Sequence, residues 1–204
     1  LPDKTGMVRA NLRPEQMIHQ QLFWMIWASF LFSVYGSLLI IGILPSYGEE
    51  VVKLSGTQAA IPISLFALVN GLSRPISGFL SDRIGIPKVM IVVFALQSIV
   101  FLLFPFYMKS LASLTAAAVI LGLGIGTSLA LYPVLTSECF GVEHLGVNYG
   151  IVFSAYGFGA IAIQGGAFLQ EKTGSYTAPL LIAGFMSLLS TIVMISIRRR
   201  YKLG

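Results

Sequence analysis

Long apolar stretches alternate with short segments that carry nearly all of the charged residues of the chain. A bilayer core of about 30 Å requires roughly 20 mostly apolar residues in a helix, and each stretch is long enough to cross it. The pattern therefore predicts an all-α polytopic membrane protein with six transmembrane helices. They are expected over residues 16–48, 54–81, 89–108, 110–137, 145–170 and 173–197.

Composition supports the same class of protein. Of the 204 residues, 56% are hydrophobic and 10% are charged, whereas an ordinary soluble domain carries roughly 25% charged residues. So few charges cannot cover the surface of a soluble enzyme, and they exclude a disordered chain and a nucleic-acid-binding module. Cys139 is the single cysteine, so no disulfide can form within the chain.

The distribution of lysine and arginine predicts the orientation. Cytoplasmic loops of membrane proteins carry an excess of these residues. With the N-terminus inside, the inner side holds Lys4, Arg9, Arg13, Arg83, Lys88, Arg198, Arg199, Arg200 and Lys202, and the outer side holds Lys53, Lys109 and Lys172. We therefore expect a cell-membrane protein with both termini in the cytoplasm. Its parts would be a cytoplasmic linker over 1–15, a six-helix domain over 16–198 and a cytoplasmic tail over 199–204.

A short pattern, Phe-Leu-polar-acid-base-x-Gly, occurs at the ends of two predicted helices. It covers residues 79–85 after the second helix and residues 168–174 after the fifth. These are the middle helices of the first three and the last three spans, and on the predicted topology they end on opposite faces. A 3+3 inverted repeat, as in many transporters, predicts this arrangement. A chance match is the alternative, because short matches are common in apolar sequence.

Arg74 is the only charged residue well inside a predicted helix. Placing an arginine near the bilayer centre costs about 2.5–3.5 kcal/mol on insertion scales, and the predicted spans contain no Asp or Glu to pair with it. A guanidinium group can hold a carboxylate through two parallel hydrogen bonds. We therefore predict an anion-binding site at Arg74. The alternative is that its side chain extends to the inner membrane surface.

Other polar residues within the predicted helices could line a substrate path or form hydrogen bonds between helices. They are Tyr35, Asn70, Gln97, Tyr132, Tyr156 and Gln164. The glycines at 122, 124 and 126 lack the strand-to-helix context of a nucleotide-binding motif, so we expect them to allow close helix packing.

No group of residues in the sequence supports catalysis or metal binding. His19 and His144 are isolated and form no ligand pair with Cys139. We therefore expect no metal site, no cofactor and no enzymatic activity. A membrane enzyme and a channel-like or structural subunit are the alternatives to a carrier.

The segment over residues 78–88 reads G-F-L-S-D-R-I-G-I-P-K. It resembles the Gly-x-Leu-Ser-Asp-Arg-x-Gly motif that joins the second and third helices of each six-helix half in the major facilitator superfamily. The resemblance implies a conformational-gating role for Gly78, Asp82, Arg83, Gly85 and Lys88. The family continues with two basic residues, but here residues 86 and 87 intervene and only Lys88 remains.

A narrower resemblance covers residues 14–198. It is to the C-terminal half of oxalate/formate antiporters and their monocarboxylate-transporter relatives. Residues 70–75, N-G-L-S-R-P, are similar to their eighth helix, and residues 23–30, with the pattern Phe-Trp-x-x-Trp-x-x-Phe, to their seventh. Tyr132-Pro133, Phe140-Gly141 and Asn148-Tyr149-Gly150 resemble their tenth and eleventh helices. In that family the arginine of the eighth helix binds the substrate carboxylate, which implies the same role for Arg74.

Two positions depart from the family pattern. Tyr156 stands where the oxalate transporter has a lysine, which favours a monocarboxylate over a dianion. Asn70 stands where proton-coupled relatives have an acid, and an amide cannot take up a proton. The resemblance implies secondary transport of small organic anions, mono- or dicarboxylates, by alternating access. This carrier would need a lipid bilayer, a carboxylate substrate and a second six-helix unit, either an N-terminal half or a second copy.

Overall fold

The computed structural model describes residues 11–201, apart from the side chain of Ala162. These residues form eight α-helices and no strand. The helices are α1 (Pro14–Ile18), α2 (Gln21–Glu50), α3 (Gly56–Ile84), α4 (Ile86–Tyr107), α5 (Leu111–Phe140), α6 (Leu145–Gly159), α7 (Ile161–Thr173) and α8 (Thr177–Tyr201). Six segments are long and apolar enough to cross a membrane, with α6 and α7 together forming the fifth. The predicted all-α protein with six spans is confirmed.

The spans differ from the predicted helices at their boundaries, most clearly in the first, the fifth and the last. The first is preceded by the separate short helix α1, which begins at Pro14 because proline is pre-organised for the first helical position. The fifth is divided at Ala160, directly after Gly157 and Gly159, and glycine has a low helix propensity. The last helix continues to Tyr201. The predicted linker over 1–15 and tail over 199–204 lie partly outside the described residues.

Local sequence explains where α3 and α5 begin and end. Ser55 and Ser110 precede them, and each Oγ accepts a hydrogen bond from the N–H three residues later, at 3.4 and 3.2 Å. Gly85 ends α3 with φ of 91°, and Gly141 ends α5 with φ of 87°. Other residues rarely adopt such a conformation. Gly85 alone therefore connects α3 to α4.

The six spans pack as two equivalent three-helix units. The first unit is α2, α3 and α4, and the second is α5, α6–α7 and α8. The packing of α3 on α5 corresponds to that of α6–α7 on α2, and the packing of α2 on α8 corresponds to that of α5 on α4. Corresponding helices of the two units also bury similar shares of their residues. In the most apolar 18-residue stretch of each span, 61% of residues are buried in both α2 and α5, 44% in both α4 and α8, but only 22% in α3 and 24% in α6–α7. This correspondence is that of an inverted repeat.

The bundle has two ends, which we name by the chain. The terminal face holds the start of α2 and the end of α8, and therefore also the α3–α4 and α5–α6 turns. The opposite face holds the α2–α3, α4–α5 and α7–α8 connections. The described chain enters and leaves the bundle on the terminal face.

The repeated sequence pattern makes the same local contacts at its two positions, although the backbones of Gly85 (φ 91°, ψ 142°) and Gly174 (φ 64°, ψ 16°) differ. We call residues 79–85 the terminal-face turn and residues 168–174 the opposite-face turn. In the first, the guanidinium carbon of Arg83 lies 4.2 Å from the ring centre of Phe79. In the second, Lys172 Nζ lies 4.6 Å from the ring centre of Phe168. Each turn ends in a glycine with positive φ whose N–H donates to the carbonyl four residues earlier, at 2.9 and 2.8 Å.

Candidate functional site

Close packing against α5 fixes the orientation of α3. A Cβ added to Gly122 would lie 2.7 Å from the carbonyl oxygen of Phe66, and one added to Gly126 would overlap Asn70 O. Next to this contact, the hydroxyls of Ser77 and Thr127 are hydrogen-bonded at 2.7 Å. The two helices approach this closely only because α5 carries no side chains at these positions. The expectation of close packing at these glycines agrees with the structure. Gly122 and Gly126 pack against α3, whereas Gly124 packs against Gln97 of α4.

Arg74 lies on the part of α3 that α5 leaves uncovered, and its side chain is exposed. Gly71 and Gly78, about one turn to either side, have no atoms within 4 Å of an added Cβ. Within residues 11–201, Arg74 forms no hydrogen bond, ion pair or ring contact. The arginine is thus a cation without a protein partner in the described structure, on an open helix face.

Arg74 lies at the depth of the middle of the bundle. The hydrogen bond between Ser77 and Thr127 sets the register of α3 on α5. That between Ser33 and Ser128, at 3.2 Å, sets the register of α5 on α2. Together they place Arg74 about level with Ser37 of α2, close to the middle of that 30-residue helix. The end of α3 at Ile84 is about 15 Å away at 1.5 Å per residue.

The break in the fifth span lies at a similar depth. A Cβ added to Gly159 would lie 2.8 Å from Val34 Cγ2 and 3.8 Å from the backbone nitrogen of Tyr35. Ala160, where α6 gives way to α7, is therefore level with Tyr35 and within about one helical turn of the depth of Arg74. Discontinuous membrane helices at mid-depth occur at the binding sites of several transporter folds.

Four other residues of the predicted site are at least partly accessible. Asn70, one turn before Arg74, is half-buried, and its Oδ1 has no hydrogen-bond partner. Tyr35 and Tyr156 are half-buried and Gln164 is exposed. The Tyr156 ring stacks on Phe153 with centroids 5.2 Å apart and planes 7° apart. Among the described residues, no hydrogen bond or ion pair joins any of these side chains to Arg74.

The remaining two predicted site residues lie in the core of the bundle. Tyr132 is fully buried, stacks on Phe30 at 4.2 Å and donates a hydrogen bond to Ser29 Oγ at 2.8 Å. Gln97 is also fully buried, and its Nε2 donates to Ser33 O and Ser37 Oγ, both at 3.0 Å. For these two side chains the structure favours the alternative reading, hydrogen bonding between helices.

Tyr132 and Gln97 belong to a polar layer that the sequence reading did not identify. Ser29, Ser33 and Ser37 follow one another at four-residue spacing along α2 and are all fully buried. Ser29 also bonds across the bundle to Ser190 of α8, with the hydroxyl oxygens 3.0 Å apart. The regular four-residue spacing of these serines in the sequence could have indicated this buried layer. Their hydroxyls hold α2 in place in a core that contains few other directional contacts.

A groove between α2 and α6 was also not predicted. Trp27 Nε1 donates a hydrogen bond to Ser154 Oγ at 3.0 Å, and Trp24 lies beside it, mostly exposed. The groove encloses about 380 Å³. Its lining is mainly apolar and aromatic: Ile18, Phe23, Trp24, Trp27, Ile151, Ser154 and Phe158.

The residues of the predicted gating motif lie in and next to the terminal-face turn. Asp82 and Arg83 are exposed, and Arg83 is held over the Phe79 ring. Gly85 provides the positive φ that reverses the chain, and Lys88 is half-buried in the first turn of α4. The turn presents a carboxylate whose neighbouring cation is already in contact with an aromatic ring.

On the opposite face, Tyr176 fastens the α7–α8 connection to the end of α2. Its hydroxyl donates to Glu50 Oε2 at 2.9 Å. Burial, and then the hydrogen bond and the negative charge of Glu50, raise the pKa of Tyr176 to about 12. The phenol therefore keeps its proton, and with it this hydrogen bond, throughout the physiological range.

Comparison with known proteins agrees with this architecture. The model of the Major Facilitator Superfamily matches residues 26–203. The chain belongs to this superfamily.

Individual relatives are antiporters or transporters by name. The chain is 34% identical over 174 residues to the oxalate:formate antiporter of Oxalobacter formigenes, covering 82% of this chain and 40% of that protein. It is 26% identical over 158 residues to the MFS-type transporter YhjX of Escherichia coli, covering 76% and 39%. Over 179 residues it is 28% identical to monocarboxylate transporter 12 of Rattus norvegicus, covering 84% and 36%. The chain thus spans about two fifths of the length of these relatives.

Proposed function

We propose that the chain is the C-terminal half of a carrier that moves small carboxylates across the cell membrane by alternating access. The observation that carries this proposal is Arg74, an exposed arginine at mid-depth with no partner among residues 11–201. Such a cation is costly in a membrane unless an anion or water-filled cavity compensates it. The resemblance to an oxalate:formate antiporter and a monocarboxylate transporter supports a carboxylate as that anion.

A second six-helix unit is the proposed partner, and the distribution of open glycines supports it. Among the described helical glycines, those with no atom within 4 Å of an added Cβ are Gly71, Gly78, Gly146, Gly150, Gly157 and Gly165. All six lie on α3, α6 or α7, the least buried spans. A helical glycine costs up to about 1 kcal/mol relative to alanine, and close approach of another helix compensates that cost. These faces therefore suit contact with another helical unit.

We propose that Arg74 binds the carboxylate, and that Asn70, Tyr35, Tyr156 and Gln164 contribute to the path. All of these side chains are at least partly accessible in this half. Tyr132 and Gln97 are left out, because a fully buried side chain cannot reach a ligand held between two halves. Since Tyr156 offers a phenol rather than a second cation, we propose that a monocarboxylate is preferred to a dianion.

Two further parts of the proposal concern orientation and gating. The terminal face carries Arg13, Arg83, Lys88 and the arginines at 198–200, so we propose that it faces the cytoplasm. The terminal-face turn is proposed to contact the other half when the cytoplasmic side is closed. The exposed carboxylate of Asp82 would make that contact.

Exchange assays on the complete carrier in proteoliposomes test the role of Arg74. We expect Arg74→Gln to lower the rate of formate or oxalate exchange by at least about tenfold, since losing a charge-assisted bidentate contact costs 2 kcal/mol or more. Arg74→Lys keeps the charge but not the planar fork, so it should restore only part of the rate. The control is Arg200→Gln, which removes an arginine at the end of α8. Unchanged exchange in both Arg74 variants would refute the proposed site.

A further inference from the structure

The opposite-face turn is a second docking element of the carrier, and we infer its role from its likeness to the terminal-face turn. We propose that Glu171 binds a basic group of the other six-helix half and so closes the opposite face of the carrier. This inference rests on the proposed function, because it requires that second half. It concerns residues outside both the predicted anion site and the predicted gating motif.

The first argument is geometric. In both turns an acidic residue is followed directly by a basic one, and that base contacts an aromatic ring one helical turn earlier, at 4.2 Å for Arg83 and 4.6 Å for Lys172. The adjacent cation is thus held by a ring rather than by the acid. Asp82 and Glu171 are both exposed, and within the described part of the chain neither has an ion-pair partner.

The second argument concerns position. Each turn ends one of the two least buried spans, where 22% and 24% of the most apolar stretch is buried. Each span carries open glycines along the helix that leads to its turn. The opposite-face turn therefore terminates a surface equivalent to the one that ends at Asp82. One helical unit packed along α3, α6 and α7 would reach both turns.

Charge argues for a protein partner rather than lipid at Glu171. Anionic headgroups attract basic segments and repel a carboxylate. A lysine, an arginine or a helix N-terminus of the other half would complement it. The proposed occupant is therefore the other half of the same carrier.

The two turns lie at opposite ends of the bundle, so they act in different states of the carrier. When the halves close at one face they separate at the other, as rocking about a central site requires. Asp82 would be docked when the terminal face is closed, and Glu171 when the opposite face is closed. Removing Glu171 should therefore favour the state that is open at the opposite face, and removing Asp82 the state that is open at the terminal face.

Hydrogen–deuterium exchange on the complete carrier in detergent, without substrate, tests this prediction. In Glu171→Gln we expect peptides of the opposite face (residues 45–56 and 168–178) to exchange at least twofold faster. Peptides of the terminal face (residues 79–90 and 137–147) should become more protected. In Asp82→Asn both changes should reverse. The control is Glu49→Gln, which removes another exposed carboxylate of the opposite face and should shift neither set.

Several outcomes would overturn the inference. In the first, Glu171→Gln leaves the exchange of both peptide sets unchanged, as the Glu49→Gln control does. In the second, Glu171→Gln and Asp82→Asn shift the same peptides in the same direction. Native mass spectrometry gives a third: if Glu171→Gln converts a dimer of carriers into a monomer, the turn binds a second copy instead. Glu171→Asp should restore the wild-type pattern, which separates loss of the carboxylate from misfolding. Since no substrate is needed, a carrier that fails to exchange carboxylates would refute the proposed function without affecting this result.

Discussion

The unit α2–α4 and the unit α5–α8 bury nearly the same share of residues in the most apolar stretch of each corresponding helix, but only the first carries a charged residue well inside a span. The third helix of each unit, α4 or α8, packs against its counterpart, and the middle helix of each remains largely uncovered. The two units differ in two respects. Arg74 of the first unit has no charged counterpart in the second, and only the second unit has a divided middle helix. The shared features form the scaffold, whereas the differences lie at mid-depth, where a carrier binds its substrate.

The units also differ in how their middle helices are held. On the α3 side, the glycines of α5 meet backbone oxygens of α3, which cannot move without shifting the helix. On the α7 side, an added Cβ at Gly166 would meet Leu39 Cδ1, the end of a flexible side chain. The contact that positions Arg74 is therefore the more rigid of the two.

The largest expected effect separates these two contacts. We predict that Gly126→Ala lowers the free energy of unfolding by about 1–3 kcal/mol, because the added methyl group overlaps the backbone of α3. Gly166→Ala should cost less, since Leu39 can change rotamer. Thermal unfolding of the detergent-solubilised protein, followed by tryptophan fluorescence, measures both. Gly56→Ala is the control, since an added Cβ at this exposed first residue of α3 would make only an ordinary contact with Glu49 and should be neutral or slightly stabilising. Equal losses for Gly126→Ala and Gly166→Ala would contradict the difference in rigidity.

The next effect distinguishes the buried tyrosine of α5 from the accessible one of α6. Tyr132→Phe leaves the buried hydroxyl of Ser29 without its donor, so we predict a loss of about 0.5–1.5 kcal/mol in unfolding free energy. Carboxylate exchange by the folded carrier should be unchanged. Tyr156→Phe should do the reverse, with little change in stability but slower exchange. If Tyr132→Phe slows exchange while the melting temperature stays constant, Tyr132 belongs to the substrate path after all.

A third prediction concerns the fastening of the second unit to α2 on the opposite face. Tyr176→Phe removes the hydrogen bond to Glu50 and should cost about 1 kcal/mol. Because folding raises the pKa of Tyr176 from 10.0 to about 12, this stabilisation is complete below pH 10 and is lost as the pH rises toward 12. The difference in melting temperature between wild type and variant should therefore be constant from pH 7 to 9. A difference that changes within this range would show that another group controls the contact.

Much of the fold could be predicted because the membrane simplifies the problem. Every spanning segment must satisfy its own backbone hydrogen bonds, so length and apolarity suffice to find six helices. The repeat at 79–85 and 168–174 was visible because glycine is needed to end both helices. The break at Ala160 was not predicted, since a pair of glycines in a membrane helix is compatible with either packing or interruption.

The candidate site was only partly predictable, for a reason that follows from packing. Arg74 stands out in sequence because a charge in an apolar helix is rare. Uncharged polar residues carry no such signal, because the same tyrosine or glutamine can face a cavity or bond to a serine in the core. Tyr132 and Gln97 are in the core because Ser29, Ser33 and Ser37 of α2 face them, and that pairing depends on tertiary register. The aromatic residues 23–27 were visible as a motif, but the groove they form with Ser154 required α6 to be in place.

The smallest predicted effect tests whether the two turns are energetically equivalent. Phe79→Leu and Phe168→Leu each remove the ring beneath a basic side chain, and an exposed cation–π contact contributes about 0.5–1 kcal/mol. We expect both variants to lower the melting temperature slightly and by similar amounts, since the distances of 4.2 and 4.6 Å are close. Phe106→Leu, at an exposed aromatic position in α4, controls for the loss of ring area. If Phe79→Leu is clearly more destabilising than Phe168→Leu, the second turn shares the sequence pattern and the ring contact of the first but not its stabilising role.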